Sequence, residues 1–422
     1  MTTFGIFNAV VIALNGLIFP IILGSVSPAV PTNRTELSYY PENDKIEIVY
    51  SENFIENTTV YYGACDRHSE TTQKKCIIRR VRANFWGASP KVDECNVTLH
   101  SESGNFITSR DYSITSLGKD RAILKWLEKP GQKTNVTSHL RFSIVNFSDC
   151  TVKTTKLSED LDQLDKWIPN DLVFYESLSD NYIKGEDDFE VFSFDKMSVN
   201  KSSINAEGIA SKVGKWLTYP TYLGHLATIF PLSKDQGYLL MEVSHSMESL
   251  MTVALIQPNG QRQNLTHIKS VNYPVVSLDN GLIGICAQDM LKDTTMKCTQ
   301  FKLGDKEINW FSVSNVKRNG RRPAIYNLPM GEGFLMNIFT SDIYYPSIGK
   351  YLVKIGLDGK LKQFVDPSPK CSHSDYSSDK IFKDDLGRYC LSTACIAWTE
   401  DQYNYLRFFS NCFGLEAFEN IS

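Results

Sequence analysis

One unit recurs along most of this 422-residue chain and limits its fold more than any other feature. Each copy opens with an apolar residue, a polar turn and an apolar strand. A variable loop, an alternating strand, a second turn and a further strand follow. Leu117 through Leu124 (LGKDRAIL) opens one copy and Leu232 through Leu240 (LSKDQGYLL) another. Leu278 to Ile283 and Met330 to Leu335 read the same way, with Ile168 to Val173 and Phe382 to Arg388 as looser versions. These openings lie about fifty residues apart, and an earlier one at Tyr40 precedes Asp44 to Tyr50. The second halves also align: Leu140 to Cys150, Phe189 to Lys196, Leu250 to Gly260, Lys297 to Asp305, Lys350 to Gly359 and Tyr405 to Cys412. Asn259-Gly260, Asn280-Gly281, Asn319-Gly320 and Asp358-Gly359 are dipeptides of tight hairpin turns.

Units of about 40–50 residues holding about four strands are the signature of a β-propeller, whose blades bury their faces against one another. The spacing predicts an all-β, disulfide-stapled propeller as a single domain over residues 39–422. The openings count seven blades, and the long first unit leaves six or eight open. A β-sandwich, or several small β domains, is the alternative in which turns recur without radial repetition. Helical periodicity is weak, and Ser158 to Trp167 is the one short helix candidate.

The first thirty-three residues carry no Asp, Glu, Lys or Arg, and Phe4 to Leu23 is nearly all apolar. Small residues and Pro28 follow. Residues 1–24 read as a signal peptide, with 25–38 a short linker. About twenty apolar residues also suffice to cross a bilayer, so an uncleaved signal-anchor is the alternative. Ten cysteines in an exported chain point to disulfides. Spacing suggests Cys65 with Cys76 and Cys286 with Cys298, which leaves Cys95 for Cys150. Cys371, Cys390, Cys395 and Cys412 would pair among themselves, although spacing does not fix partners. Sequons for N-glycosylation begin at Asn33, Asn57, Asn96, Asn135, Asn146, Asn200 and Asn264, and Asn420 begins another close to the C-terminus.

A formal charge of −4 and a pI near 6.0 lack the concentrated basic surface of a nucleic-acid binder. The sequence holds no GxSxG elbow, HExxH helix, P-loop or dinucleotide fingerprint, and no zinc or cofactor signature. Ser244-His245-Ser246 with Glu248 is the nearest string to a nucleophile and base. The acids Glu186, Asp187 and Asp188 are the candidates for a glycosidase-like pair and otherwise a solvated turn. Arg79-Arg80-Val81-Arg82 and Lys317 to Arg322 resemble Arg-X-X-Arg processing signals. On the alternating strand begun by Cys76 the first string can face solvent; the second holds an Asn-Gly turn and forms the best basic patch. Trp126, Trp167 and Trp310 fit blade core. Tyr219, Tyr222, Tyr344 and Tyr345 lie between strands, where exposed aromatics anchor binding surfaces.

The Leu117 to Cys150 unit (LGKDRAIL…LRFSIVNFSDC) resembles secreted propeller-like proteins of arthropods, a likeness that extends over Leu117 to Val365. Viral attachment glycoproteins share the leader or anchor, the sequons, the disulfides and the propeller, but this chain has neither their long stalk nor a sialic-acid-site motif. The resemblance implies an extracellular role and transfers no functional residue. The expectation is a secreted, non-enzymatic binding protein whose inter-strand loops engage an extracellular protein or glycan. The alternatives are an extracellular hydrolase with carboxylates at the ring centre and a membrane-anchored receptor-binding glycoprotein.

Overall fold

The computed structural model describes residues 33–39, 52–56, 59–65, 71–82, 91–101, 105–118, 120–130, 139–154, 182–184, 188–194, 198–205, 209, 214–218, 226–232, 236–244, 250–269, 271–292, 295–314, 316, 323–341, 348–365, 378–384, 386–398 and 404–414. Nearly all of them lie in strands, arranged as seven four-stranded antiparallel sheets.

The chain enters through β1 (Asn33–Tyr39) and then forms sheet I from β2 (Glu52–Glu56), β3 (Thr59–Cys65), β4 (Gln73–Arg82) and β5 (Lys91–His100). Sheet II is β6 (Asn105–Gly118), β7 (Arg121–Pro130), β8 (His139–Asn146) and β9 (Val152–Thr154). Sheet III is β10 (Tyr182–Lys184), β11 (Asp188–Phe194), β12 (Ser198–Asn205) and β13 (Gly214–Thr218). Sheet IV is β14 (Leu226–Pro231), β15 (Tyr238–Ser244), β16 (Leu250–Ile256) and β17 (Arg262–Lys269). Sheet V is β18 (Val271–Ser277), β19 (Ile283–Asp289), β20 (Thr295–Phe301) and β21 (Phe311–Ser314). Sheet VI is β22 (Ile325–Asn327), β23 (Phe334–Ser341), β24 (Ile348–Ile355) and β25 (Leu361–Val365). In sheet VII, β26 (Ser378–Lys383), β27 (Tyr389–Trp398) and β28 (Asn404–Phe413) are completed by β1, which pairs Asn33 with Cys412 and Tyr39 with Leu406.

The first strands of neighbouring sheets meet: β2 packs on β6 and on β26, and β22 packs on β18 and on β26. Sheets I and VII are therefore adjacent in space although they lie at opposite ends of the sequence. With the first strand of each sheet innermost, this is a propeller. The expected all-β propeller is the fold.

Sheets IV, V and VI are covered on both faces, which is why their strands read as apolar runs as often as alternation. On β19, Ile283, Ile285 and Ala287 pack against Leu239, Met241 and Val253 of sheet IV. Cys286, pointing the other way, packs with Phe334, Met336 and Val353 of sheet VI. Leu335, between two of those residues, faces Leu391 and Phe413 of sheet VII. Trp126 is fully buried between sheets I and II, its indole N–H donating to Ser143 Oγ at 3.0 Å. Trp310 is partly buried on the sheet IV–V core and donates to Thr266 Oγ1 at 3.2 Å; Trp167 lies outside the described residues.

Four disulfides are formed among the described residues. Cys65–Cys76, Cys286–Cys298 and Cys390–Cys412 each link directly paired residues of the second and third strands of a sheet. Cys95–Cys150 ties the outer strand of sheet I to the turn before β9 of sheet II. Cys371 lies outside the described residues, as does the side chain of Cys395.

Two expectations need correction. The stretch read as linker contains β1, whose apolar and polar residues alternate because it completes the last sheet. Sheet III does not begin at Ile168, which lies outside the described residues. Its first turn falls between Lys184 and Asp188, so Phe189 to Phe194 is a second strand, not a third. The helix candidate Ser158 to Trp167 lies outside the described residues too. In addition, Leu278 and Met330, read as the apolar residues opening two units, are exposed, and Leu282 and Leu328 take the buried places beside them.

Two turn glycines separate backbone strain from steric clash. Gly331 and Gly333 both adopt φ +89°; a Cβ at Gly331 meets nothing within 4 Å, whereas one at Gly333 falls 2.0 Å from the Ile355 carbonyl oxygen. Gly331→Ala is expected to cost ~1–2 kcal/mol from left-handed backbone alone, and Gly333→Ala a further ~1–3 kcal/mol from the clash. Urea denaturation of both variants checks this. Equal costs would refute it.

Candidate functional site

Antiparallel order fixes two rims. Connections from first to second and from third to fourth strand leave at one rim. Those from second to third, and from each sheet to the next, leave at the other. The first rim carries tight turns closed by their own backbones. Leu328 N–H donates to Gly333 O (3.0 Å), Glu332 N–H to Pro329 O (3.0 Å), Gly359 N–H to Gly356 O (2.9 Å) and Gly387 N–H to Asp384 O (2.9 Å). Asp384 Oδ1 accepts the N–H groups of Leu386 and Arg388 at 3.0 and 2.8 Å. Asp358 Oδ1 accepts that of Lys360 at 3.1 Å.

These closures turn apolar side chains outward. Leu386 is 68% exposed and Met330 51%, with Leu278 and Leu357 beside them in exposure. They occupy turns of three consecutive sheets, V, VI and VII, on the same rim. Asp279, Glu332, Lys360 and Arg388 accompany them in the same turns. Apolar tips within a polar surround, on turns that need no ordering, are the composition of an interaction surface. The sequence hid Leu278 and Met330 because each sits where a unit opens, a position that looks like core.

Behind the arc, polar contacts lock sheets V, VI and VII together. Asn327 is fully buried, and its Nδ2 donates to Ser277 O and Leu282 O at 2.9 Å each. Its backbone N–H donates to Ser277 Oγ at 2.8 Å, and Asn280 Nδ2 donates to its carbonyl. Gly284 leaves the room: a Cβ there would lie 2.0 Å from Asn327 Oδ1. Asn337 Nδ2 donates to Asp379 Oδ2 (2.8 Å) and Thr393 Oγ1 to Asp379 Oδ1 (2.7 Å). Burial pushes the Tyr326 phenol up to about 12, helped by the charge of Asp279, so it stays a neutral hydroxyl.

The expected chemistry candidates fare differently. Ser244 ends β15, while His245, Ser246 and Glu248 lie outside the described residues, as do Glu186, Asp187 and Lys317 to Arg322. Asp188 starts β11. Burial raises the Asp279 carboxyl, which faces Ser277 Oγ and the charge of Lys380. Asp384, Cys390 and Cys412 cluster as metal ligands would, but the two cysteines are joined to each other and offer no thiolate.

Arg79 and Arg80 do not face solvent as expected; each is 5% exposed. Arg79 Nε donates to Glu94 Oε2 at 2.6 Å across the strand pair. Arg80 bridges Asp93 (2.7 Å) and Asp120 of sheet II (2.6 Å) and lies 4.8 Å over the Phe147 ring. Hydrogen bonding and charge from Arg80 hold the Asp120 carboxyl below its ordinary range. The string is a seam between sheets, not an offered cleavage segment.

Tyr219, Tyr222, Tyr344 and Tyr345 lie outside the described residues. The strands around them, β13 with β14 and β23 with β24, end and restart at the second rim. There a turn capped by Asp289 Oδ1 on the Leu291 N–H (2.9 Å) exposes Met290 and Leu291. Asn96 and Asn264 are exposed, Asn146 is half-buried with its Oδ1 accepting from Ser148 N–H at 3.1 Å, and Asn33 and Asn200 stand in strands β1 and β12. Asn57, Asn135 and Asn420 lie outside the described residues. Among the described residues no helix is long and apolar enough to cross a membrane.

No family model matches the sequence, and no curated protein matches it. Among solved structures the chain is similar to a prolyl endopeptidase (11% identity, TM-score 0.44, covering 83% of this chain and 46% of that one). It is similar to an acylaminoacyl peptidase of Pyrococcus horikoshii (11%, 0.44, 86% and 51%). It also resembles the β-propeller domain of the Trilobed protease of Pyrococcus furiosus, which has an open velcro topology (10%, 0.43, 85% and 94%). The chain spans about half the length of the two peptidases. The propeller assignment rests on strand order and inter-sheet packing.

Burial raises the Asp279 carboxyl against the opposing effects of Ser277 and Lys380. The folded chain therefore holds that proton more tightly than the unfolded chain. The resulting stability is present at acid pH and is lost as pH climbs from the ordinary carboxylate range through the raised value. Asp279→Asn keeps an acceptor for Ser277 Oγ and removes this slope, so its stability should improve relative to the parent as pH rises. Urea titrations at stepped pH measure it; parallel curves would reject the assignment.

Proposed function

We propose that the chain is an exported, N-glycosylated, non-enzymatic binding protein that engages an extracellular protein or glycan through the turns of one propeller rim. The observation that carries this reading is the arc of Leu278, Met330, Leu357 and Leu386, apolar side chains held outward by turns with closed hydrogen bonding. A residue whose backbone is already fixed loses little conformational entropy on binding, so such tips make effective anchors. Cross-strand disulfides fit an oxidising compartment, as do the apolar leader and the sequons.

The described titratable groups support a scaffold in preference to a hydrolase. Arg80 with Asp93, Lys201 with Glu190 and Tyr238, and Arg262 with Glu242 all serve contacts within or between sheets.

The test is binding of the secreted protein to cell surfaces and to immobilised glycans. Met330→Glu with Leu386→Glu should weaken binding by on the order of tenfold or more, with the melting temperature close to that of the parent. Alanine at Tyr219, Tyr222, Tyr344 and Tyr345 should have the smaller effect. If only the tyrosine variants lose binding, the second rim is the surface and this reading fails.

A further inference from the structure

Among the described residues the outermost strand of each sheet pairs with a strand on one side only, and its other edge is a row of N–H and C=O groups that can accept a strand from another molecule. The seven outer strands differ in length. β9, β13, β21 and β25 have 3, 5, 4 and 5 residues. β1, β5 and β17 have 7, 10 and 8. A sequon begins on each of the three long strands, at Asn33, Asn96 and Asn264, and on none of the four short ones. Asn96 and Asn264 are exposed, and Asn33 is the first residue of β1.

We propose that Asn33, Asn96 and Asn264 are glycosylated and that their glycans shield the three long open edges of the propeller from strand-to-strand association. An incoming strand must approach to about 4.8 Å to pair. A bulky hydrated glycan rising from the outermost strand occupies the space that strand would cross. Short edges need no such guard, because three to five residues offer too few hydrogen bonds to hold a partner. β5 has the greatest need: it is the longest outer strand and leaves Val92 exposed. The inference rests on the export reading above, since the sugar is added only along that route.

Glycopeptide mapping of the secreted protein, followed by endoglycosidase trimming of the folded protein, tests it without altering any residue. Occupancy at all three asparagines is expected. Light scattering should show oligomers on the order of tenfold more abundant after trimming. Lysines on the bare edges, in a trimmed Val92→Lys and Gln263→Lys variant that keeps every sequon intact, should restore most of the monomer. If Asn57 or Asn135 is occupied while these three are bare, or if trimmed protein stays as monomeric as untrimmed, the edge role is overturned and export stands. If no sequon carries sugar, both readings fall.

Discussion

Everything in this molecule depends on sheets that cannot hide their own apolar residues. A four-stranded sheet with Ile283, Ile285 and Ala287 on one face and Cys286 on the other has two sides to cover, and only neighbouring sheets can cover both. Removing one such side chain, Ile285 for instance, leaves a cavity that costs on the order of 2–5 kcal/mol. No sheet is stable alone, and a row of sheets ends in two bare faces. Bending the row until β2 meets β26 removes them.

Apolar packing is tolerant of sliding, and polar seams fix what it leaves free. The core between sheets I and II is bounded toward one rim by Arg80, which reaches Asp93 and Asp120, and toward the other by Glu128 with Arg141. Asp93 is 18% exposed against 55% for Asp120, so solvent screens the second contact more and the first contributes more. Glu128 and Arg141 are almost wholly buried at 2.7 Å. Such a pair adds little net stability over apolar residues but is costly to separate. That suits a part whose task is alignment. Asn327, Asn337 and the Lys201–Glu190–Tyr238 group do the same between other sheets.

The repeat was legible where turn and strand were regular. Leu232, Leu278 and Met330 mark real first turns, and Lys297 to Asp305 and Lys350 to Gly359 hold real third strands. Cys65–Cys76 and Cys286–Cys298 were readable because partners directly opposite on adjoining strands are also close in sequence; Cys95–Cys150 followed by elimination, and Cys390–Cys412 was left open among four. Sheet III was misplaced because its second strand, β11, has the strand-then-turn shape of a third strand. β1 escaped notice because its partner lies at the far end of the chain, and no local pattern records so distant a pairing. Arg79 and Arg80 look like solvent-facing residues until Glu94, Asp93 and Asp120 are brought beside them. Exposure of Leu386 and Met330 follows from turn hydrogen bonds that composition alone does not encode.

The strand that completes sheet VII is the first described strand to leave the ribosome, and its partner β28 is the last described one. Asn33 to Tyr39 must therefore wait for this partner while the sheets between them are synthesised. Joining β1 to β28 latches the first described strand to the last, so the circle closes only once β28 has been made. A prematurely terminated chain is left as an open arc with its opening strand bare, a state that quality control can recognise by exposed backbone.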